Sequence, residues 1–311
     1  MPSSPTESAS PNPPPTSAKP WHKPREPEVV RLGGISALGD PIHEVVSSYK
    51  DYLDVSDPGQ LKQFENRQKS NPQDADLEAA LFSVAQSYGF EVTLGEVPGE
   101  GGVDFICRTK DRSFALEVTR LDTSSVERRS GVKNVAADGR GGTPSFILDL
   151  LRRKASGKAN QLSGYEMPRV LSIGSTHCFA HTFMGKLAAE WLLTSEPKIS
   201  VPIGPAGSPE SEPCHVTSLE QSVFFKLDKS DKITLCRSSI SAILLVGLYH
   251  DSCSLVGLLA PKPDYPFDAH MLPDVPFVRA TNWPFRDGKI ETEWTIADGQ
   301  EKWVPLRKIQ R

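Results

Sequence analysis

The segment 101–121, GGVDFICRTKDRSFALEVTRL, constrains the fold most, because it sets two acids into two neighbouring apolar runs. Residues 103–107 and 114–118 read as strands, and 108–113 between them is short enough to be a hairpin turn. Strand side chains alternate faces, so Asp104 lies opposite Val103, Phe105 and Cys107, while Glu117 shares its face with Ala115 and Thr119. Adjacent strands therefore hold both carboxylates side by side. Two like charges in a half-buried sheet raise each other's pKa and lose solvation, a conflict that a bound cation relieves.

Helical patterns precede this hairpin. Ile42, Val45, Val46 and Tyr49 fall at helical spacing, and a polar helix is expected over 58–69. A clearer helix begins at a cap on Asn71 or Asp74, carries Leu77, Leu81, Val84, Ala85 and Tyr88 as its stripe, and stops at Gly89. Glu78 sits on the edge of that stripe and points toward whatever Ala85 packs on; the plain alternative is a boundary glutamate whose head reaches water. Residues 90–97 read as a further strand.

After the hairpin, 122–142 reads as a polar, glycine-containing loop with Arg128, Arg129, Lys133 and Arg140. A helix follows over 143–162, with Thr143 as cap and Pro144 at the first helical position. Its stripe runs Leu148, Leu151, Ala155, Lys158 and Leu162, which puts a lysine on the core-facing side. That lysine needs carboxylates or an escape to water, and Asp104 and Glu117 are candidate partners. Gln161 projects from nearly the same side, whereas Arg152, Arg153 and Lys154 are expected to face solvent. Residues 169–174 (RVLSIG) read as a buried parallel strand, 182–194 as one helix, 196–213 as a Pro/Gly/Ser-rich insertion, and 223–227, 233–236, 240–248 and 255–259 as strands.

Charge adds a local signal. Residues 108–169 hold 13 Lys and Arg against 7 Asp and Glu, so they carry +6 while the rest of this net −4 chain carries −10. The first 28 residues hold nine of the 27 prolines and read as a disordered tail. Five cysteines without a tight repeat, and no signal peptide, indicate a reducing, cytoplasmic compartment. The longest apolar run, 240–248, is too short to span a bilayer, so no membrane partner is expected.

Helix with Glu78, strand with Asp104, strand with Glu117-Val118-Thr119 and crossover helix with Lys158 and Gln161 together resemble the PD-(D/E)xK nuclease superfamily, over about residues 74–175. The resemblance implies an α/β, restriction-endonuclease-like core with a central mixed sheet flanked by helices, running over 74–260 behind the tail (1–28) and a helical cap (29–73), with a C-terminal extension at 261–311. It implies metal ligation of Mg²⁺ or Mn²⁺ by Asp104 and Glu117, with Glu78 as accessory acid. Thr119 occupies the family's lysine position, and Lys158 stands where a lysine migrated to the helix would sit. The implied activity is hydrolysis of phosphodiester bonds, in DNA rather than RNA, with Arg120, Arg128, Arg129, Lys133 and Arg140 as backbone contacts and Gln161 positioning water or a phosphate oxygen. A homodimer or protein partner is compatible with it. The competing reading is a non-catalytic nuclease-like module that binds nucleic acid or protein.

Other constellations are weaker. His177, Cys178 and His181 offer two histidines four residues apart without further ligands at a recognisable spacing. Cys214-His215 pairs a nucleophile with a base, but adjacent residues seldom face each other. No G-x-S-x-G, P-loop or dinucleotide fingerprint occurs.

Overall fold

The computed structural model describes residues 41–95, 102–135, 142–200, 214–216, 219, 221–230, 232–285, 290–297 and 299–309. The expected tail (1–28) and most of the insertion at 196–213 lie outside the described residues.

Three helices lead: α1 (Pro41–Ser56), α2 (Pro58–Ser70) and α3 (Pro72–Ser87). Each boundary has a local cause. The Asp57 carboxylate accepts from the Gly59 and Gln60 amides while Pro58 opens α2, and Pro72 opens α3. Strands β1 (Glu91–Leu94), β2 (Phe105–Arg108) and β3 (Ser113–Arg120) follow as an antiparallel meander. Helix α4 (Thr123–Ser130) comes next, then α5 (Ser145–Leu162), which crosses over so that β4 (Arg169–Ser175) pairs parallel to β3.

The chain continues through α6 (Ala180–Met184), α7 (Lys186–Thr194), the short ladders β5 (Lys198–Ser200) with β6 (Cys214–Val216) and β7 (Phe225–Leu227) with β8 (Ile233–Leu235), and the long strands β9 (Ala242–Leu248) and β10 (Ser252–Leu259). It ends with β11 (Phe277–Ala280), β12 (Thr292–Trp294) and β13 (Lys302–Pro305). The main sheet runs β1-β2-β3-β4-β9-β10-β11-β12, with β13 also on β10; β3/β4, β4/β9 and β10/β11 are parallel and the other pairs antiparallel. This is an α/β fold with a central mixed sheet flanked by helices.

Strand alternation divides the core into two layers. Phe105, Cys107, Phe114, Leu116, Val170 and Leu244 pack under α1–α3, while Ile106, Ala115, Leu171, Ile173, Ile243 and Leu245 pack under α5 and α7. The central strands β4 and β9 are buried at every position, as expected of strands covered on both faces. At Gly174 of β4, a Cβ would collide with Leu77 of α3, so glycine sets how closely that helix approaches the sheet.

Four sequence expectations need correction. The loop read at 122–142 contains α4, capped by Asp122, whose carboxylate accepts from the Ser125 amide at 2.8 Å, and ended by Gly131 at φ 72°. The single helix read at 182–194 is broken at Gly185, where a Cβ would meet Glu301 and the His181 carbonyl. Pro144, not Thr143, stands at the cap position of α5. Residues past 260 are integral to the sheet: β11 and β13 flank β10, and the Ile309 amide donates to Ser48 of α1 at 3.0 Å.

Candidate active site

The pocket at the mouth of the β2/β3 hairpin has a volume of about 270 Å³. Helices α2 and α3 form one wall, β3 the floor and α5 the other wall. Strand register brings the two acids together: Phe105 pairs with Leu116, so the preceding residue, Asp104, stands across from Glu117. Asp104 lies in a bend just before β2, and its Oδ2 accepts the Val118 amide at 2.6 Å.

Glu117 is only 2 % exposed, yet both its oxygens are engaged. Lys158 donates to Oε1 at 2.6 Å and Gln161 donates to Oε2 at 3.0 Å. The two donors are one helical turn apart on α5, and Lys158 also donates to the Gln161 amide oxygen at 3.0 Å. Gln161 is held in turn by the Gly102 carbonyl. Thr119, two residues beyond Glu117 on the same face, lines the pocket with a neutral hydroxyl.

Across the pocket, Glu78 is buried, not solvated. Its Oε1 accepts from the Tyr49 hydroxyl at 3.1 Å and from Arg67 at 2.9 Å, and its Oε2 from Arg67 at 2.8 Å. Burial, reinforced by the charge of Asp104, raises its pKa to about 7 against the pull of Arg67 and Tyr49. Burial together with Glu78 likewise raises the Tyr49 hydroxyl well above its usual value.

Arg120 lines the pocket and is fixed by Asp74 (2.5 Å) and Gln73 (2.8 Å). Lys154 is exposed, as expected, and also stands at the pocket, one turn before Lys158, where desolvation lowers its pKa. The basic segment is thus not a uniform positive field here. Asp74, Glu78, Asp104 and Glu117 face Arg67, Arg120, Lys154 and Lys158, four acids against four bases.

The remaining basic residues stand outside the pocket. Arg128 donates to Ser125, Arg129 pairs with Asp149 at 3.5 Å, and Lys133 pairs with Glu127 at 3.8 Å. Arg140 lies outside the described residues. His177 and His181 do not converge. The buried His177 ring accepts the Phe179 amide at Nδ1 and lies 3.3 Å from the Val132 carbonyl through Nε2, while His181 meets Tyr249. The side chains of Cys214 and His215 lie outside the described residues.

Sequence reading missed Tyr49, Arg67, Asp74 and Lys154. Lys154 had a signal, its four-residue spacing from Lys158. Tyr49 and Arg67 had none, since only the packing of α1 and α2 on α3 brings them to Glu78.

Among the described residues, no three His, Cys, Asp or Glu side chains gather into a metal-binding group. Mg²⁺ is usually held by one or two carboxylates, with waters and substrate phosphates completing its shell, and Asp104 with Glu117 is such a set of hard oxygen donors. No helix among the described residues is long and apolar enough to cross a membrane. No protein-family model, curated protein or solved structure matches this chain.

Proposed function

We propose that the chain is a metal-dependent nuclease with a restriction-endonuclease-like core, hydrolysing phosphodiester bonds in DNA at the Asp104/Glu117 pocket. The observation that carries this reading is the Lys158 ammonium, brought from α5 to 2.6 Å from Glu117. It provides from the helix the cation that β3 lacks at Thr119.

Asp104 and Glu117 would hold Mg²⁺ or Mn²⁺, which supplies charge neutralisation on the phosphodiester and acidifies a water. The residues of the chain do the rest. Lys158 has three N–H donors, two of them already directed by Glu117 and Gln161, and the third is aligned by that fixation to hold a water or a phosphate oxygen. Gln161 fixes the Glu117 carboxylate plane through Oε2. Arg120 and Lys154 line the same pocket and meet phosphate charge. Thr119 can only hydrogen-bond. Glu78 lines the opposite wall with both oxygens engaged by Tyr49 and Arg67, and its role is to tie α1 and α2 to α3 there.

A second reading has its own observation: each of these acids already accepts hydrogen bonds from the protein, as in a nuclease-like module that binds without cutting. Metal-linked stability separates the two. On the nuclease reading, about 5 mM Mn²⁺ raises the melting temperature by several degrees through preferential binding to the folded state, and Asp104→Ala abolishes the rise. An unchanged melting temperature in the intact protein favours the binding module.

A further inference from the structure

The crossover that brings Lys158 to Glu117 brings a second pair of residues together. Strands β3 and β4 are parallel, so α5 between them runs back against β3. From Glu117 to Arg120 the strand advances about 10 Å, and from Lys158 back to Lys154 the helix covers about 6 Å in the same direction. The pocket is therefore a ladder of two rungs, Glu117 with Lys158 and, further along, Arg120 with Lys154.

The rungs differ in charge. The first is a closed ion pair. The second sets two cations on facing elements, and the acid bound there, Asp74 of α3, is bound through Arg120. With Asp74 counted, the second rung keeps a net positive charge.

Its donors are open. The Arg120 guanidinium is fixed through two of its nitrogens: Nε donates to Asp74 at 2.5 Å, and Nη1 donates to Gln73 at 2.8 Å and to the Leu121 carbonyl at 3.3 Å. Its Nη2 makes no hydrogen bond among the described residues, and it is not sealed from water as the unpaired Nε of Arg169 is. Lys154 is exposed and makes no hydrogen bond or ion pair among the described residues. Desolvation weighs on its ammonium, the charges of Lys158 and Arg120 add to that, and those of Asp74 and Asp122 act against it. Both acids have other partners: Asp74 holds Arg120 through Oδ1, and Asp122 accepts from Ser124 and from the Ser125 amide through Oδ2. Cations set face to face are unfavourable until an anion lies between them.

We propose that Arg120 and Lys154 form a second phosphate site, one nucleotide from the phosphate at Glu117 and Lys158, so that the pocket takes a stretch of strand carrying two successive phosphates. The place of the first phosphate rests on the nuclease reading, whereas the second site uses neither Asp104 nor Glu117. A guanidinium edge and an ammonium suit the oxygens of a phosphodiester. The rungs stand about 6–10 Å apart, the order of spacing between neighbouring phosphates on an extended strand. A ligand with a single phosphate leaves one rung unfilled, which selects oligonucleotides over mononucleotides.

The test is titration calorimetry of the full chain, with Mg²⁺ present, against thymidine 3′,5′-bisphosphate, thymidine 5′-monophosphate and thymidine 3′-monophosphate. The bisphosphate carries two phosphates one nucleoside apart. It is expected to bind about tenfold or more tightly than either monophosphate, and Lys154→Gln and Arg120→Gln should each remove most of that advantage. Lys154→Gln gives up no hydrogen bond to a described residue, so it carries the test if Arg120→Gln fails to fold. Lys62→Gln, at an exposed position of α2, keeps the full preference. A preference unchanged in Lys154→Gln, or equal affinity for all three ligands in the intact chain, would overturn the second site even if DNA is cleaved. A preference that depends on Lys154, in a chain that cuts no DNA, would support the site and end the nuclease reading alone.

Discussion

Glu78 and Glu117 face one pocket from opposite walls, and the protein treats them differently. Glu78 is enclosed by Arg67 and Tyr49 among aromatic rings, with Tyr49 against both Phe64 and Phe82 at 5.0 Å, and its carboxyl is pushed up to about 7. Glu117 is set deeper still, 2 % exposed against 8 % for Glu78, and accepts from Lys158 and Gln161 of α5. The first acid is held inside a wall. The second ties strand β3 to helix α5 across the pocket. The donors of the two acids are similarly exposed, Arg67 at 35 % and Lys158 at 31 %, so the difference lies in what encloses each carboxylate: an aromatic cluster that raises the pKa of Glu78, and an ammonium and an amide from one helix turn at Glu117.

The largest effect that sharpens this contrast is catalytic. Glu117→Ala and Asp104→Ala are expected to cut cleavage by about 10²–10³-fold or more, while Glu78→Gln leaves more than about a tenth of the activity per folded molecule. Comparable losses in all three would erase the distinction between the walls.

The second effect is a pH dependence that belongs to Glu78. Its folded pKa, about 7, lies above the 4.5 of the free group, so the folded state binds the proton more tightly. The stability it contributes is fully present below about pH 4.5 and is lost as pH rises through about 7, up to about 3 kcal/mol. Urea unfolding of the wild type and Glu78→Gln at pH 5 and pH 8 checks this. The wild type should lose stability relative to the variant between those points, and parallel behaviour would mean that the carboxyl titrates normally.

Arg67→Met is a smaller perturbation. It leaves the Tyr49 hydroxyl on Glu78, and because the Arg67 side chain is 35 % exposed the cost is about 1–3 kcal/mol, below that of a fully buried pair. Chemical denaturation reads it directly. The smallest effects lie outside both walls. Arg128→Ala and Lys133→Ala should shift stability by no more than about 0.5 kcal/mol, and each should lower the salt dependence of DNA binding by about one unit of slope if it touches a phosphate.

What the sequence revealed follows from the range of the interactions. The two apolar runs were enough to set Asp104 beside Glu117, although β2 begins only at Phe105 and Asp104 lies in the bend before it, and helical spacing was enough to turn Lys158 toward Glu117. The Lys158–Glu117 contact then follows from a single crossover. Helix α4 was hidden because TSSVERRS holds one apolar residue, Val126, and its signal is instead the Asp122 cap and the Gly131 stop. The pairing of β11 and β13 with β10 was hidden because neighbours in that part of the sheet are far apart in sequence. The enclosure of Glu78 was hidden for the same reason: Tyr49 is 29 residues away and Arg67 is 11.

On the nuclease reading, Lys158 from α5 replaces the cation missing at Thr119. The most direct test is cleavage of mixed DNA and RNA substrates by the purified protein with Mg²⁺ or Mn²⁺, beside Asp104→Ala and Lys158→Ala. The expected result is metal-dependent cleavage, strongest on DNA, that is lost in both variants. Cleavage that survives Lys158→Ala unchanged, or the absence of cleavage of any substrate by the intact protein, would contradict it.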